Sequence, residues 1–323
     1  MLSARRLLIL GGRALRGLAL FALTLVCACL LVFLALDLLP GDAATQQLGL
    51  TATAEQIRQL AHAYGLDAPV LDRFIAWLSD ALRGDFGTVL ASGRAVADAM
   101  AGPLSRTAVM FALSLAGVAL LGVGTGLAAG LHGGTAVDRA VSCAALALRS
   151  VPEFIVGVAL MFFFATTLHL LPAVSLIPVG ASAFDAPQIF VLPIACIVVV
   201  GSSCVVRPVR AVVESRNQSH AVEAARLAGL PEAHVVMRHV LPQCAAPIGQ
   251  VLAGVVPYLV GGTVVVERVF NFPGIGSMMV GAVQAREPNV LMACALVMVT
   301  TSLCAYWVAD LLAERGVDDG HQA

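Results

Sequence analysis

Seven histidines, eight cysteines and no lysine limit the bond-making chemistry open to this chain. All 19 basic residues are arginine, so neither a GxxxxGK[ST] phosphate loop nor a Schiff-base lysine can be built. The histidines at 62, 132, 169, 220, 234, 239 and 321 fall mostly in polar connections. None lies mid-run with a second histidine or acid at ligand spacing. GxSxG and HExxH patterns do not occur. The cysteines at 27, 29, 143, 196, 204, 244, 294 and 304 sit in or beside apolar runs, without CxxC spacing, and read as small hydrophobic residues. The expectation is no catalytic residue, no metal ligand and no cofactor in this chain.

What the residue types do suit is recognition. Glu223 to Gln243 reads EAARLAGLPEAHVVMRHVLPQ, a charged segment between two uncharged apolar runs. Ala224, Ala225 and Ala228 favour helix without bulk. Gly229 offers a backbone break, and Pro231 opens a second helix. Pro242 is expected to end that second helix where the next apolar run starts. The product is a helix, a turn and a helix with a small-residue face, a shape that suits docking into a groove on a soluble partner and equally an ordinary polar linker.

A second block, GGTVVVERVFNFPGIG from Gly261 to Gly276, combines tight-turn residues with Glu267 at the end of an apolar run. It reads either as a surface turn with an interfacial carboxylate or as a re-entrant segment lining a path, where irregular backbone is tolerated. Asp37 and Glu153 are further near-membrane carboxylates, functional candidates by their depth.

The elements that must position these residues are membrane spans. The chain is 59% apolar and 12% charged, with a mean hydropathy of +0.91 and a net charge of −1. That is too little charge to cover a soluble domain of this length, and the balance gives no footing for nucleic acid. With roughly 20 apolar residues needed per crossing, six spans are expected: 17–39, 107–131, 154–171, 188–206, 244–266 and 290–309. The first run continues through Leu39 beyond Cys27 and Cys29, so it is expected to be retained rather than cleaved.

Arg5, Arg6, Arg13 and Arg16 precede the first span without an acid, and loop 207–243 holds five arginines against three glutamates. Both termini and that loop are therefore expected in the cytoplasm. The segment 40–106 is expected outside, with one helix from a Thr53–Gln56 capping box through Tyr64 and another opened by Pro69 through Phe74, Trp77 and Leu78. The domain expectation is a cytoplasmic N-terminus 1–16, a first span 17–39, an extracytoplasmic helical segment 40–106, a five-helix core 107–312 and a cytoplasmic tail 313–323.

Glu223-Ala-Ala-x3-Gly229 followed by Leu241-Pro242 resembles the coupling motif of ABC-importer permeases, the loop that binds the ATPase subunit. His239-Val-Leu-Pro242 is similar to the ending of that motif in the dipeptide and oligopeptide branch, with Gln243 where asparagine is usual. Phe33 to Asp42, Gly65 to Pro69, Arg83 to Gly87 and Gly261 to Gly276 resemble further blocks of the branch in register, from about residue 5 to about residue 312. The tail Arg315 to Asp319 departs from the branch's pattern.

The resemblance implies an all-α, polytopic type I importer permease fold with six transmembrane helices and short extracytoplasmic helices after the first. It implies residence in the bacterial inner membrane, beside lipid, with a second homologous permease chain, two ATPase subunits and an extracytoplasmic solute-binding protein. Glu223, Ala224, Ala225, Gly229, Leu241 and Pro242 would couple to the ATPase. Gly262, Glu267, Phe270, Pro273, Gly274 and Gly276 would line the outer mouth. Di- or oligopeptides are the expected solute and nickel the alternative. A membrane scaffold or sensor without transport is the alternative of another class. An ion-driven carrier would want paired acids or histidines at the midplane, which the six spans do not supply.

Overall fold

The computed structural model describes residues 4–38, 53, 55, 68–177 and 183–320, and every regular element among them is helical. In chain order these are α1 (Ala4–Asp37), α2 (Val70–Ala81), α3 (Val96–Val118), α4 (Gly124–Leu131), α5 (Ala136–Arg149), α6 (Glu153–Leu160), α7 (Gln188–Asn217), α8 (His220–Leu227), α9 (Glu232–Val235), α10 (Leu241–Val269), α11 (Ile275–Ala285) and α12 (Pro288–Gly320). A π-helical turn at Ala119–Val123 joins α3 to α4, another at Met161–Thr167 extends α6, and a third at Val236–Val240 joins α9 to α10.

Among the described residues, five stretches are long and apolar enough to cross a bilayer: Arg16–Asp37, Val96–Leu131, Gln188–Asn217, Glu232–Val269 and Pro288–Ala313. A sixth is counted when Ala136–Arg149 and Glu153–Thr167, bent by 100°, are taken as one span. Six crossings were expected, and the differences lie in their shape. The helix Ala136–Arg149 that precedes the third span is not collinear with it, because Pro152 disfavours helix in the residue before it and itself caps α6. The second span begins at Val96, inside the segment expected to end at 106, with Pro103 accommodated within α3. All of the helix expected from Thr53 to Tyr64 except Thr53 and Glu55 lies outside the described residues, as do the end of the first span beyond Leu38 and the side chains of the acidic tail.

The chain divides into two compact units, Met1–Pro103 with Met278–Leu303, and Leu104–Ser277 with Cys304–Ala323. In the first, α2 forms where Pro69 predicts it, and Phe74 and Trp77 face inward. They pack with Cys29, Phe33 and Met292, the Phe33 and Phe74 rings meeting edge-on at 5.7 Å. Arg73 donates to Asp37 at 3.0 Å and lies over the Phe33 ring, so that candidate carboxylate is a partner in helix packing. Glu287, almost fully buried, accepts the Leu90 and Ala91 amides at 2.8 Å each and ties down the turn before α3.

In the second unit α7 is the central helix, with Val205, Val209 and Val213 wholly buried. Gly126 and Gly130 let α4 lie against it. A Cβ at Gly126 would come within 2.8 Å of the Val206 carbonyl, and one at Gly130 within 2.8 Å of the Arg210 carbonyl. Spaced four apart, they share a face, and small residues are what allow two spans to approach backbone to backbone. On another side Gly201 of α7 receives Leu259 of α10.

Candidate functional site

The Glu223–Pro242 segment folds as its residue types dictate, up to its last two residues. Helix α8 ends at Gly229, whose φ of +81° is a left-handed conformation that favours glycine. The Gly229 amide donates to the Arg226 carbonyl at 2.9 Å and the Leu230 amide to the Ala225 carbonyl at 3.3 Å. This pair of bonds is the Schellman termination, which satisfies carbonyls the helix end would leave free. Pro231 then caps α9.

Arg226 fixes the turn from three directions. It grips the Glu232 carboxylate at 3.0 and 2.6 Å, and it donates to the Asn217 carbonyl at 3.1 Å and to the Asn217 side chain at 2.7 Å. The end of α7 and the start of α9 are thereby held on either side of α8.

The segment has two faces. Val222, Val235 and Val240 are wholly buried in the unit's core, and Ala225 joins them at 8% exposure. Ala225, expected at the docking surface with Ala224, therefore points into its own chain. Glu223, Ala224 and Gly229 are exposed, as are Leu227 and Met237 at 83% and 67%. A Cβ at Gly229 would meet nothing within 4 Å. The outward face thus sets small residues beside the apolar Leu227 and Met237, with Glu223 at its edge.

Pro242 does not end a helix. Leu241 and Pro242 lie inside a continuous stretch from Glu232 to Val269. Proline removes one N–H and crowds the carbonyl four residues back. Here the π-helical turn at Val236–Val240 loosens the ladder immediately before it, and the helix runs on.

At the other end of α10 the chain folds back on itself. Phe270 caps the helix, Asn271 takes a φ of +50°, and the Phe272 amide donates to the Glu267 carbonyl at 2.7 Å. The Glu267 side chain has no solvent exposure. One carboxylate oxygen accepts the Thr107 hydroxyl at 2.6 Å and the other accepts the Ser277 amide at 2.8 Å. The Thr107 oxygen in turn accepts the Ile275 amide at 2.8 Å, and Arg106 donates to the Pro273 carbonyl at 2.7 Å. The carboxylate thus sits at the N-terminus of α11, where unpaired N–H groups and the helix dipole favour an anion.

Of the residues expected to line an outer mouth, Gly262, Glu267, Phe270, Gly274 and Gly276 are buried within the unit and Pro273 is half-buried. Gly274 and Gly276 leave no room for a side chain. A Cβ at Gly274 would overlap the Glu267 carboxylate, and one at Gly276 would lie 2.7 Å from the Val264 Cα. These residues build a closed, pinned turn.

Residues 122–316 match the model of the binding-protein-dependent transport system inner membrane components. The chain belongs to that family. The glutathione transport system permease protein GsiC of Escherichia coli K12 is 31% identical over 289 residues, which cover 90% of this chain and 92% of that one. The protein of the same name from Salmonella typhi is 32% identical over the same length and shares. This chain is accordingly an inner-membrane permease of a binding-protein-dependent ABC importer, in the peptide and nickel branch.

For this permease, spacing alone did not reveal several polar anchors. Asp138, buried at the start of α5, takes both Arg210 Nε and Arg210 Nη2, the latter at 2.7 Å, while Arg210 Nη1 lies 2.9 Å from Glu214. Arg210 and Arg226 enter the sequence argument as charges that set topology, yet both hold helices together. The available signal was an acid within reach of each: Glu214 four residues on from Arg210, and Glu232 across the turn from Arg226.

Proposed function

We propose that this permease imports a small peptide-class solute, delivered by a binding protein and driven by ATP hydrolysed in separate subunits. What carries the reading is the likeness to relatives named for glutathione transport, a tripeptide, along 90% of the chain. The second homologous permease, the two ATPase subunits and the extracytoplasmic binding protein are the partners such an importer needs. The arginine balance supports a cytoplasmic position for both termini and loop 207–243, and an outer one for the segment between the first span and Val96.

In this reading Glu223, Ala224 and Gly229 present the docking face to the ATPase, with Leu227 and Met237 beside them. Ala225 sets the angle of α8 by packing inward, and Leu241 and Pro242 carry the loop into α10. ATP binding would close the ATPase pair and move the docked loops, rocking the spans between inward- and outward-facing states. The pinned turn at Glu267 supports the wall of the outer mouth, and no catalytic group or cofactor is called on in this chain.

The test is ATP hydrolysis by the co-expressed complex in lipid, with and without its binding protein and a panel of dialanine, trialanine, glutathione and Ni²⁺. Stimulation by peptide-loaded binding protein, abolished by Gly229→Asp, is the expected result. Stimulation by Ni²⁺ alone would move the solute to nickel. Absence of any co-purifying ATPase would sink the importer reading of the loop.

A further inference from the structure

Glu153 is the one candidate carboxylate that the packing described above does not employ. It opens α6 behind Pro152 and shares a small cavity of about 10 Å³, room for one water-sized group, with Cys196, Gly201, Tyr258 and Gly262. At 1.5 Å per residue, Tyr258 lies about 16 Å from the Val269 end of α10, and Cys196 about 12 Å from the Gln188 end of α7. Against a hydrocarbon thickness of about 30 Å, the carboxylate sits deep within the spanning region. A Cβ at Gly262 would come 2.6 Å from its Oε2, so glycine there is what gives the carboxylate its place. The Tyr258 side chain lines the same cavity.

Tyr258 is also the link to open space. It lines a groove of about 440 Å³ with Arg149, Cys204, Pro208, Val251 and Gly254. The exposed positions of α10 here are Gln250, Gly254, Tyr258 and Gly261, which follow one another at helical spacing and are small or polar. On α6 and its π-helical extension, Phe154, Phe162 and Phe163 are instead exposed, bulky and apolar. Lipid is matched by the second kind of face. An intramembrane carboxylate, a phenol and an arginine belong beside protein or a water-filled path.

We propose that Glu153 and Tyr258 form a subsite on the translocation path that takes the protonated amino group of a crossing peptide. The inference rests on the peptide-importer reading above and adds to it the group recognised. An ammonium brings three N–H donors. The Glu153 carboxylate and the Tyr258 oxygen accept them, and the Tyr258 ring offers its face to the charge. Arg149, on the same groove, supplies the opposite charge for a carboxylate. Entering substrate would exchange its hydration for these acceptors, while the open side of the groove keeps the contact weak enough to release.

The experiment uses the complete importer in proteoliposomes, with Glu153→Gln, Glu153→Asp and Tyr258→Phe beside the wild type. Uptake of dialanine, trialanine, glutathione and Ni²⁺ is measured together with binding-protein-stimulated ATP hydrolysis. Glu153→Gln is expected to assemble and hydrolyse ATP normally while peptide uptake falls tenfold or more, the loss of a charge-assisted hydrogen bond. Glu153→Asp should recover most of that uptake, and Tyr258→Phe should lose about fivefold. Unchanged peptide uptake in Glu153→Gln overturns the proposal. Lost assembly or hydrolysis also overturns it, because the charge would then serve the subunit contacts. An equal loss of Ni²⁺ uptake overturns the assignment to an amine. If the wild type takes up no peptide but does take up Ni²⁺, the peptide reading itself fails and this inference falls with it.

Discussion

Around Glu267 the polar groups turn inward, whereas around Gly229 they leave a face uncovered. At the first site a fully buried carboxylate meets a hydroxyl and a helix N-terminus, and the neighbouring glycines have no room for a side chain. At the second, the glycine is needed for its left-handed backbone alone, and the space beside it is open. Glycine thus does two jobs, close packing in one turn and chain reversal in the other. The contrast teaches where this permease invests in rigidity and where it keeps surface for another molecule.

The contrast can be broken from either side. Glu267→Ala should do most damage, leaving the Thr107 hydroxyl and the Ser277 amide without partners in a buried site. A loss of about 4 kcal/mol is expected, read as a fall in membrane-inserted protein and in the melting temperature of the purified complex. Gly274→Ala should follow at about 3 kcal/mol, since the new methyl meets a carboxylate that cannot retreat. Wild-type stability in both variants would remove the pinned turn from the comparison.

At the other end the effects on folding should be small and those on coupling large. Gly229→Asp should cost about 1 kcal/mol in stability, the strain of a left-handed residue, with insertion at wild-type level. Binding-protein-stimulated ATP hydrolysis should fall at least about tenfold in the same variant, reflecting a lost contact worth about 1.4 kcal/mol or more. Loss of insertion instead would make Gly229 a folding residue like Gly274. The smallest effect is expected for Arg226→Ala. Its bonds to Glu232 are exposed, so unfolding should shift by no more than about 1 kcal/mol. If coupling falls with it, the clamp that orients α8 matters more than its energy.

Much of this was legible in the residues. Charge-free runs gave the spans, Pro69 gave α2 with Phe74 and Trp77 inward, and Gly229 followed by Pro231 gave the helix, turn and helix. What escaped depended on direction and on backbone detail. Alanine carries no sign of which way it faces, so Ala225 and Ala224 look alike in sequence although one is buried and one exposed. Glu267 at the end of an apolar run looks interfacial, because its partners Thr107 and Ser277 come from separate parts of the chain. The π-helical turn before Pro242 has no composition of its own, so proline was read as a stop. Gly126 and Gly130 escaped as well, although their spacing of four places both on one face of a helix.

The uninterrupted passage of helix through Pro242 has a mechanical consequence. The stretch from Glu232 to Val269 is one rod of 38 residues, which at 1.5 Å per residue is about 57 Å long. A rod of that length tilting by about 5° around its middle displaces each tip by about 2.5 Å, in opposite senses. A proline that ended the helix would have placed a joint there and absorbed the motion. Without the joint, a push of a few ångströms beside Gly229 arrives at the far tip as a movement of similar size, and Gln250, at the fulcrum, hardly moves.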